Sequence, residues 1–74
     1  MSTFEFNDLG LEQRQQFLLK GGIYLCTRQE PKYYFDLYQL EAFYIEVCYH
    51  NKQNTPAFIK TITGSHQLNS YGLA

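Results

Sequence analysis

The feature that most limits what this chain can fold into is a change of period at Gly21-Gly22. Before the two glycines, apolar residues recur at helical spacing; from Ile23 onward they alternate with a period of two. Leu11 and Leu18 lie on one helical face with Phe17 alongside, while Glu12, Gln13, Gln15 and Gln16 face water. The spacing predicts a helix over 8–20, with Asn7 or Asp8 as a cap that accepts from a free backbone N–H. Asp8 and Glu12 stand near the positive end of that helix and Lys20 near the negative end, as its dipole prefers. Gly10 weakens the start, because glycine in a helix interior costs roughly 1 kcal/mol against alanine. Gly21 is expected to end the helix in the left-handed conformation, and Gly22 to free the exit. Ahead of the helix, Phe4 and Phe6 alternate around Glu5, as in a short strand or an apolar strap.

Four runs rich in β-branched and aromatic residues follow, at about 23–30, 34–40, 43–50 and 57–63. Pro31-Lys32 marks the first turn, Glu41-Ala42 the second and the polar stretch 51–55 the third. Pro56 keeps the start of the last run out of a central ladder. Connections this short favour sequential antiparallel hairpins. The tail, 64–74, can form one helical turn, capped by Ser65, that sets Leu68 and Tyr71 on the core. The prediction is a single α+β domain over 1–74, an N-terminal helix packed on a four-stranded antiparallel β-meander.

Composition narrows the classes of function. The chain has 74 residues, enough for one domain. Six Lys and Arg against seven Asp and Glu give a net charge of −1, which excludes a polybasic nucleic-acid arm and an acidic tail. Aromatic residues make up 18%, as seven Tyr and six Phe with no Trp, too apolar a mixture for a disordered chain. No apolar run approaches the ~20 residues of a transmembrane helix. The first eight residues lack a basic start and an apolar segment, so no signal peptide is expected and the location expected is cytoplasmic. Cys26 and Cys48 are too few for a secreted disulfide scaffold and read as free, mostly buried thiols.

Alternation assigns two faces to the sheet. Ile23, Leu25, Phe35, Leu37, Phe43, Ile45, Val47, Tyr49 and Ile59 form a nearly continuous apolar face for the helix to cover. Tyr24, Cys26, Arg28, Asp36, Tyr38, Tyr44, Glu46, Cys48, His50 and Lys60 are expected on the other. Turns of three residues at Pro31 to Tyr33 and around Ala42 set Arg28 opposite Asp36 and Tyr38 opposite Glu46. A five-residue third turn sets Glu46 opposite Lys60. Opposed cross-strand charges contribute roughly 0.2–1 kcal/mol each. The faces of the fourth strand stay open, since Phe58 and Ile62 are also apolar and a bulge would reverse them.

Chemistry finds little purchase. Cys48 and His50 share a face, with Cys26 two strands away and His66 in the tail, but no CxxC or HxxxH spacing converges ligands for a metal. Cys48, His50 and Asp36 fail as a nucleophilic triad, because strand neighbours two apart stand ~7 Å from one another and no oxyanion hole is near. Gly21-Gly22 follows a helix, whereas a phosphate loop precedes one. No catalytic, cofactor-binding or metal-ligating residue is therefore assigned, and no cofactor is expected.

The stretch Gly22, Arg28, Tyr34, Leu37-Tyr38 and Phe43-Tyr44-Ile45-Glu46-Val47 resembles short uncharacterised bacterial proteins. Their pattern is Gly–strand–Arg, then Leu-Tyr, then Phe-Tyr-Val-Glu-Val and a polar turn, which here is Asn51-Lys52-Gln53-Asn54. The likeness covers the middle third to half of the chain. It implies a domain that stands alone in bacteria and transfers no activity.

What remains is contact. Tyrosine suits interfaces because it offers a large apolar ring and a polar tip. The expectation is a non-enzymatic module that binds a protein partner or forms a homodimer. Its contact surface is a face of Tyr24, Arg28, Asp36, Tyr38, Tyr44, Glu46 and Lys60, or a free edge strand. The alternative is a small-ligand or single-stranded nucleic-acid binder using the same tyrosines with Arg28 and Lys60. Asp36, Glu46 and the net charge weigh against nucleic acid, and no membrane contact is expected.

Overall fold

The computed structural model describes residues 1–64 and 68–72. The helical part is two helices rather than one. Ser2 caps α1 (Thr3–Asn7) by a reciprocal pair: its side chain accepts from the Glu5 N–H, and Glu5 accepts from the Ser2 N–H. Phe4 and Phe6 thus lie on a helical turn and not on a strand or strap, with Phe6 fully buried and Phe4 exposed. The second helix, α2 (Leu11–Gly21), begins after Gly10, which caps it without a side-chain hydrogen bond. Asn7 and Asp8 belong to the end of α1, so neither caps α2. The glycine pair ends α2 without a left-handed residue: Gly22 is extended at φ −77 and ψ 140, and its N–H donates to the Leu18 carbonyl. Space explains this glycine, since a Cβ at position 22 would stand 2.7 Å from the Leu18 carbonyl oxygen.

The meander is formed by β1 (Ile23–Gln29), β2 (Tyr33–Leu40), β3 (Phe43–His50) and β4 (Phe58–Ile62), antiparallel in the order β1-β2-β3-β4. The first hairpin closes on Pro31-Lys32, with the Glu30 N–H donating to the Tyr33 carbonyl at 2.8 Å. Leu40 pairs with Phe43, so Glu41-Ala42 closes the second. Glu41 adopts φ 54, the left-handed conformation that lets so short a turn follow the twist of its strands. Asn51 ties the first turn to the third: its N–H donates to the Lys32 carbonyl and its side-chain amide to that of Pro31.

These tight turns overturn part of the predicted register. Arg28 stands opposite Phe35 and Tyr38 opposite Ile45, while Asp36 faces Thr27 and Val47. Glu46 opposite Lys60 is as predicted. Because side chains alternate with period two, a shift of one residue reverses a whole strand. Asp36 and Tyr38 therefore lie on the helix side, and Phe35 and Leu37 on the far side with Glu46 and Cys48. In β1 a bulge at Leu25 puts Tyr24 on the helix side but Cys26 and Arg28 on the far side.

On the helix side, Phe6 and Leu18 pack with Leu40, Ile45, Val47 and Ile59 as the main core. Leu11 and Phe17, expected to join Leu18 there, remain about two-fifths exposed. Arg14 pins the corner between the helices. Its guanidinium donates to the carbonyls of Leu9, Asn7 and Ile59 and lies 5.7 Å from the centre of the Phe6 ring. The far face has its own cover, a 3-10 turn at Asn69–Tyr71 that packs against β1. Ser65, the predicted cap of the tail, lies outside the described residues. The molecule is 17 Å through its thinnest dimension, as one helix layer on one sheet requires.

Candidate functional site

The two helices pack over β2 and β4 and leave the β1 side of the same sheet face open. What fills that open half is tyrosine. Tyr34, Asp36 and Tyr38 follow one another along β2, pointing the same way. Tyr49 stands beside Tyr34 on β3, with rings stacked at 4.6 Å and 10°. Tyr24 stands beside Tyr38 on β1, with rings edge-to-face at 5.7 Å. Asp36 thus lies between two tyrosine pairs, with Thr27 on one flank and Val47 on the other.

Hydrogen bonds fix the arrangement. The Thr27 hydroxyl donates to Asp36 Oδ1 at 2.6 Å, and the Tyr24 and Thr27 hydroxyls share a bond of 2.6 Å. Partial burial first, and the Asp36 carboxylate second, hold the phenols of Tyr38 and Tyr49 above the ordinary tyrosine range. Tyr38 and Tyr49 also form one wall of a cleft under α2, completed by Gln15, Leu18, Leu19, Val47, Pro56 and Ile59. Leu19 projects from its rim 81% exposed. At the open edge, Ile23, Tyr24 and Leu25 of β1 are likewise exposed.

Of the seven residues predicted to share a contact face, this surface holds Tyr24, Asp36 and Tyr38. The other four, Arg28, Tyr44, Glu46 and Lys60, lie on the opposite face. The single predicted face is thus corrected to two, and the causes are the one-residue difference in the lengths of the first two turns and, for Tyr24, the bulge at Leu25. Sequence reasoning placed Tyr49 on the helix-covered face, where it lies packed against the core, but gave Tyr34 no face. The signal for Tyr34 was Glu41-Ala42: taken as a two-residue turn, it sets β2 against β3 as observed.

The far face is built differently. Glu46 is buried, and its carboxylate meets Arg28 at 3.6 Å, Lys60 at 3.7 Å and the donating Tyr71 hydroxyl at 2.8 Å. The Arg28 guanidinium lies between the Phe35 ring, at 4.1 Å, and the Tyr71 ring, at 5.3 Å, and also pairs with Glu30. These groups engage one another beneath the 3-10 turn, although the buried Arg28 Nε has no hydrogen-bond partner. Cys48 is buried in the same layer, where burial and then Glu46 push its thiol above the ordinary range. Cys26 is half-buried, and both cysteines are free. His50 packs against Tyr33 at 4.7 Å. His66 lies outside the described residues, and among the described residues no cluster of His, Cys, Asp and Glu is arranged to hold a metal ion. No helix among them is long and apolar enough to cross a membrane.

Compared with protein-family models, curated proteins and solved structures, the chain matches none.

Proposed function

We propose that the chain is a non-enzymatic protein-interaction domain that docks a partner protein, or a second copy of itself, on the open tyrosine half of its helix-side face. The observation that carries this reading is the placement of Tyr24, Tyr34, Tyr38 and Tyr49 together on the part of the sheet face that the helices cover only in part, with Tyr38 and Tyr49 reaching under α2 as a cleft wall. Tyrosine rings supply large contact area with few rotatable bonds, and their hydroxyls tolerate water when no partner is bound. The exposed Tyr24 and the exposed bulge residue Leu25 carry apolar surface to the β1 edge. That edge supports the reading a second way, because β4 is flanked by the helices while β1 offers backbone groups to another strand. The alternative, binding a small ligand or single-stranded nucleic acid, draws less support. Arg28 and Lys60 are on the opposite face and engaged with Glu46, so neither cation flanks the tyrosines.

Sedimentation velocity at micromolar concentration, with affinity capture and identification of bound protein, tests the proposal. Tyr38→Ser is expected to weaken self-association or the binding of a purified captured partner at least tenfold. Tyr44→Ser, on the far face, is expected to leave it unchanged. Association that survives Tyr38→Ser, or is lost only with Tyr44→Ser, overturns the assignment.

A further inference from the structure

The tyrosine surface carries a carboxylate, that of Asp36. Asp36 forms no ion pair among the described residues, although its counterpart on the far face, Glu46, holds both Arg28 and Lys60. Its Oδ1 accepts from Thr27, which positions the carboxylate. Tyr34 and Tyr38 flank it along β2, with Tyr49 and Tyr24 behind them. Same-face neighbours on a strand stand ~7 Å apart. Cation–π attraction acts within ~6 Å of a ring centre. A cation seated on Asp36 is therefore bracketed by Tyr34 and Tyr38, and one that leans from the carboxylate toward either ring comes within that range. The negative faces of those rings and the carboxylate favour the same sign of charge. The cleft under Leu18 and Leu19 opens beside this position, with Tyr38 and Tyr49 as the shared wall.

We propose that Asp36 and its flanking tyrosines form a recognition site for an arginine side chain on the partner protein, with an apolar neighbour of that arginine seated in the cleft beneath α2. The inference rests on the tyrosine face being the docking surface and names what that face selects. Arginine fits better than lysine for a physical reason. A guanidinium is planar and weakly hydrated, so it stacks on phenol rings while its N–H groups donate to a carboxylate. Lysine brings a compact ammonium that holds its water and cannot stack. The chain supplies its own instance of the arrangement on the far face, where Arg28 lies between Phe35 and Tyr71 and reaches Glu46.

The test is a titration of the isotope-labelled full chain with acetyl-Leu-Arg-Leu-amide, followed by amide and tyrosine-ring resonances. A second titration uses the same peptide with citrulline, the neutral near-isostere, in place of arginine. Saturating shifts are expected at Tyr34, Asp36, Tyr38 and Tyr49, with affinity at least tenfold lower for the citrulline peptide. Asp36→Asn is expected to reduce affinity for the arginine peptide to the citrulline level while its unliganded spectrum keeps the native dispersion. The citrulline comparison uses the unaltered chain, so the test stands even if that variant folds poorly. Equal affinity for the two peptides, no saturable shift, or shifts centred on Tyr44 and Lys60 overturns the proposal. If Tyr38→Ser still abolishes protein association while the arginine peptide fails, the docking face stands and its selectivity for arginine falls. If both fail, the docking face itself is wrong.

Discussion

Asp36 and Glu46, one register position apart and on opposite faces, show how strongly surroundings govern a carboxylate. Glu46 is 7% exposed, yet it keeps three partners: Arg28, Lys60 and the Tyr71 hydroxyl. A buried charge persists only when paired and hydrogen-bonded, and removing one member leaves the others exposed to the full desolvation penalty. Tyr71 is tied into the same balance. Burial first, and its bond to Glu46 second, hold its phenol well above the ordinary value of 10.0. The folded chain thus keeps a proton that the unfolded chain releases near pH 10. The stabilisation from this group is complete below about pH 10 and falls as pH rises above it. Tyr38 and Tyr49 are shifted in the same direction and add to the slope. Urea unfolding at pH 9 and pH 11 is expected to show a clear loss of stability for the natural chain. Tyr71→Phe is expected to start lower at pH 9, having lost the hydrogen bond, and to fall less between the two. An equal fall in both chains would show that Tyr71 does not titrate as its surroundings require.

At the scale of elements, the junction between α2 and β1 leaves no room for a side chain at Gly22. Leu18, the buried residue of α2, stands one turn before the exit, and its carbonyl accepts the Gly22 N–H. A methyl group at position 22 would press on that carbonyl oxygen at 2.7 Å and on the Leu18 side chain at 3.0 Å. Gly22→Ala is expected to destabilise by about 1–3 kcal/mol, the usual range for overpacking beside backbone that cannot yield. Gly21→Ala is the matched control. Its Cβ would meet only the Leu40 side chain, at an ordinary 3.5 Å, so a neutral or slightly stabilising effect is expected from the better helix former. Denaturant midpoints of the two variants check both statements. At the opposite edge, Arg14 fastens the helix corner to the Ile59 carbonyl, so β4 is covered by the helices and β1 is left as the open edge.

The whole molecule is asymmetric about its sheet. One face has helices over part of it and tyrosines over the rest; the other has an apolar layer of Phe35, Leu37, Cys48 and Ile62 around the Glu46 cluster, beneath the 3-10 turn. A chain of this length buries only roughly 60% of the surface its unfolded form exposes, so loss of one cover is felt throughout. Truncation after Gly64 removes Tyr71 from Glu46 and from the Arg28 stack. The truncated chain is expected to unfold at lower urea and to bind a dye for apolar surface, such as ANS. An unchanged midpoint with no dye binding would show that the far face is stable without its cover.

The strands and their order were legible because they depend on local chemistry. Runs of β-branched and aromatic residues bounded by Pro31, Glu41-Ala42 and 51–55 mark four strands within a residue or so of those observed. Connections that short leave sequential antiparallel pairing as the simple outcome. The division of the N-terminal segment into two helices was less legible. It depends on Ser2 and Glu5 capping a turn too short to show a period. The faces of β3 were legible, with Phe43, Ile45, Val47 and Tyr49 on the helix side as expected, but those of β2 were not. Tyr34, Phe35, Leu37, Tyr38 and Leu40 put apolar side chains on both parities, so alternation has no preferred solution. The choice fell to Glu41, whose left-handed backbone closes a two-residue turn and reverses β2 relative to a longer one. The helices then decided which tyrosines remain uncovered. Sequence alone determined the four strands and their order, because propensity and turn chemistry act over a few residues. Tertiary structure decided the surface, because register and helix placement are settled by packing between segments far apart in the chain.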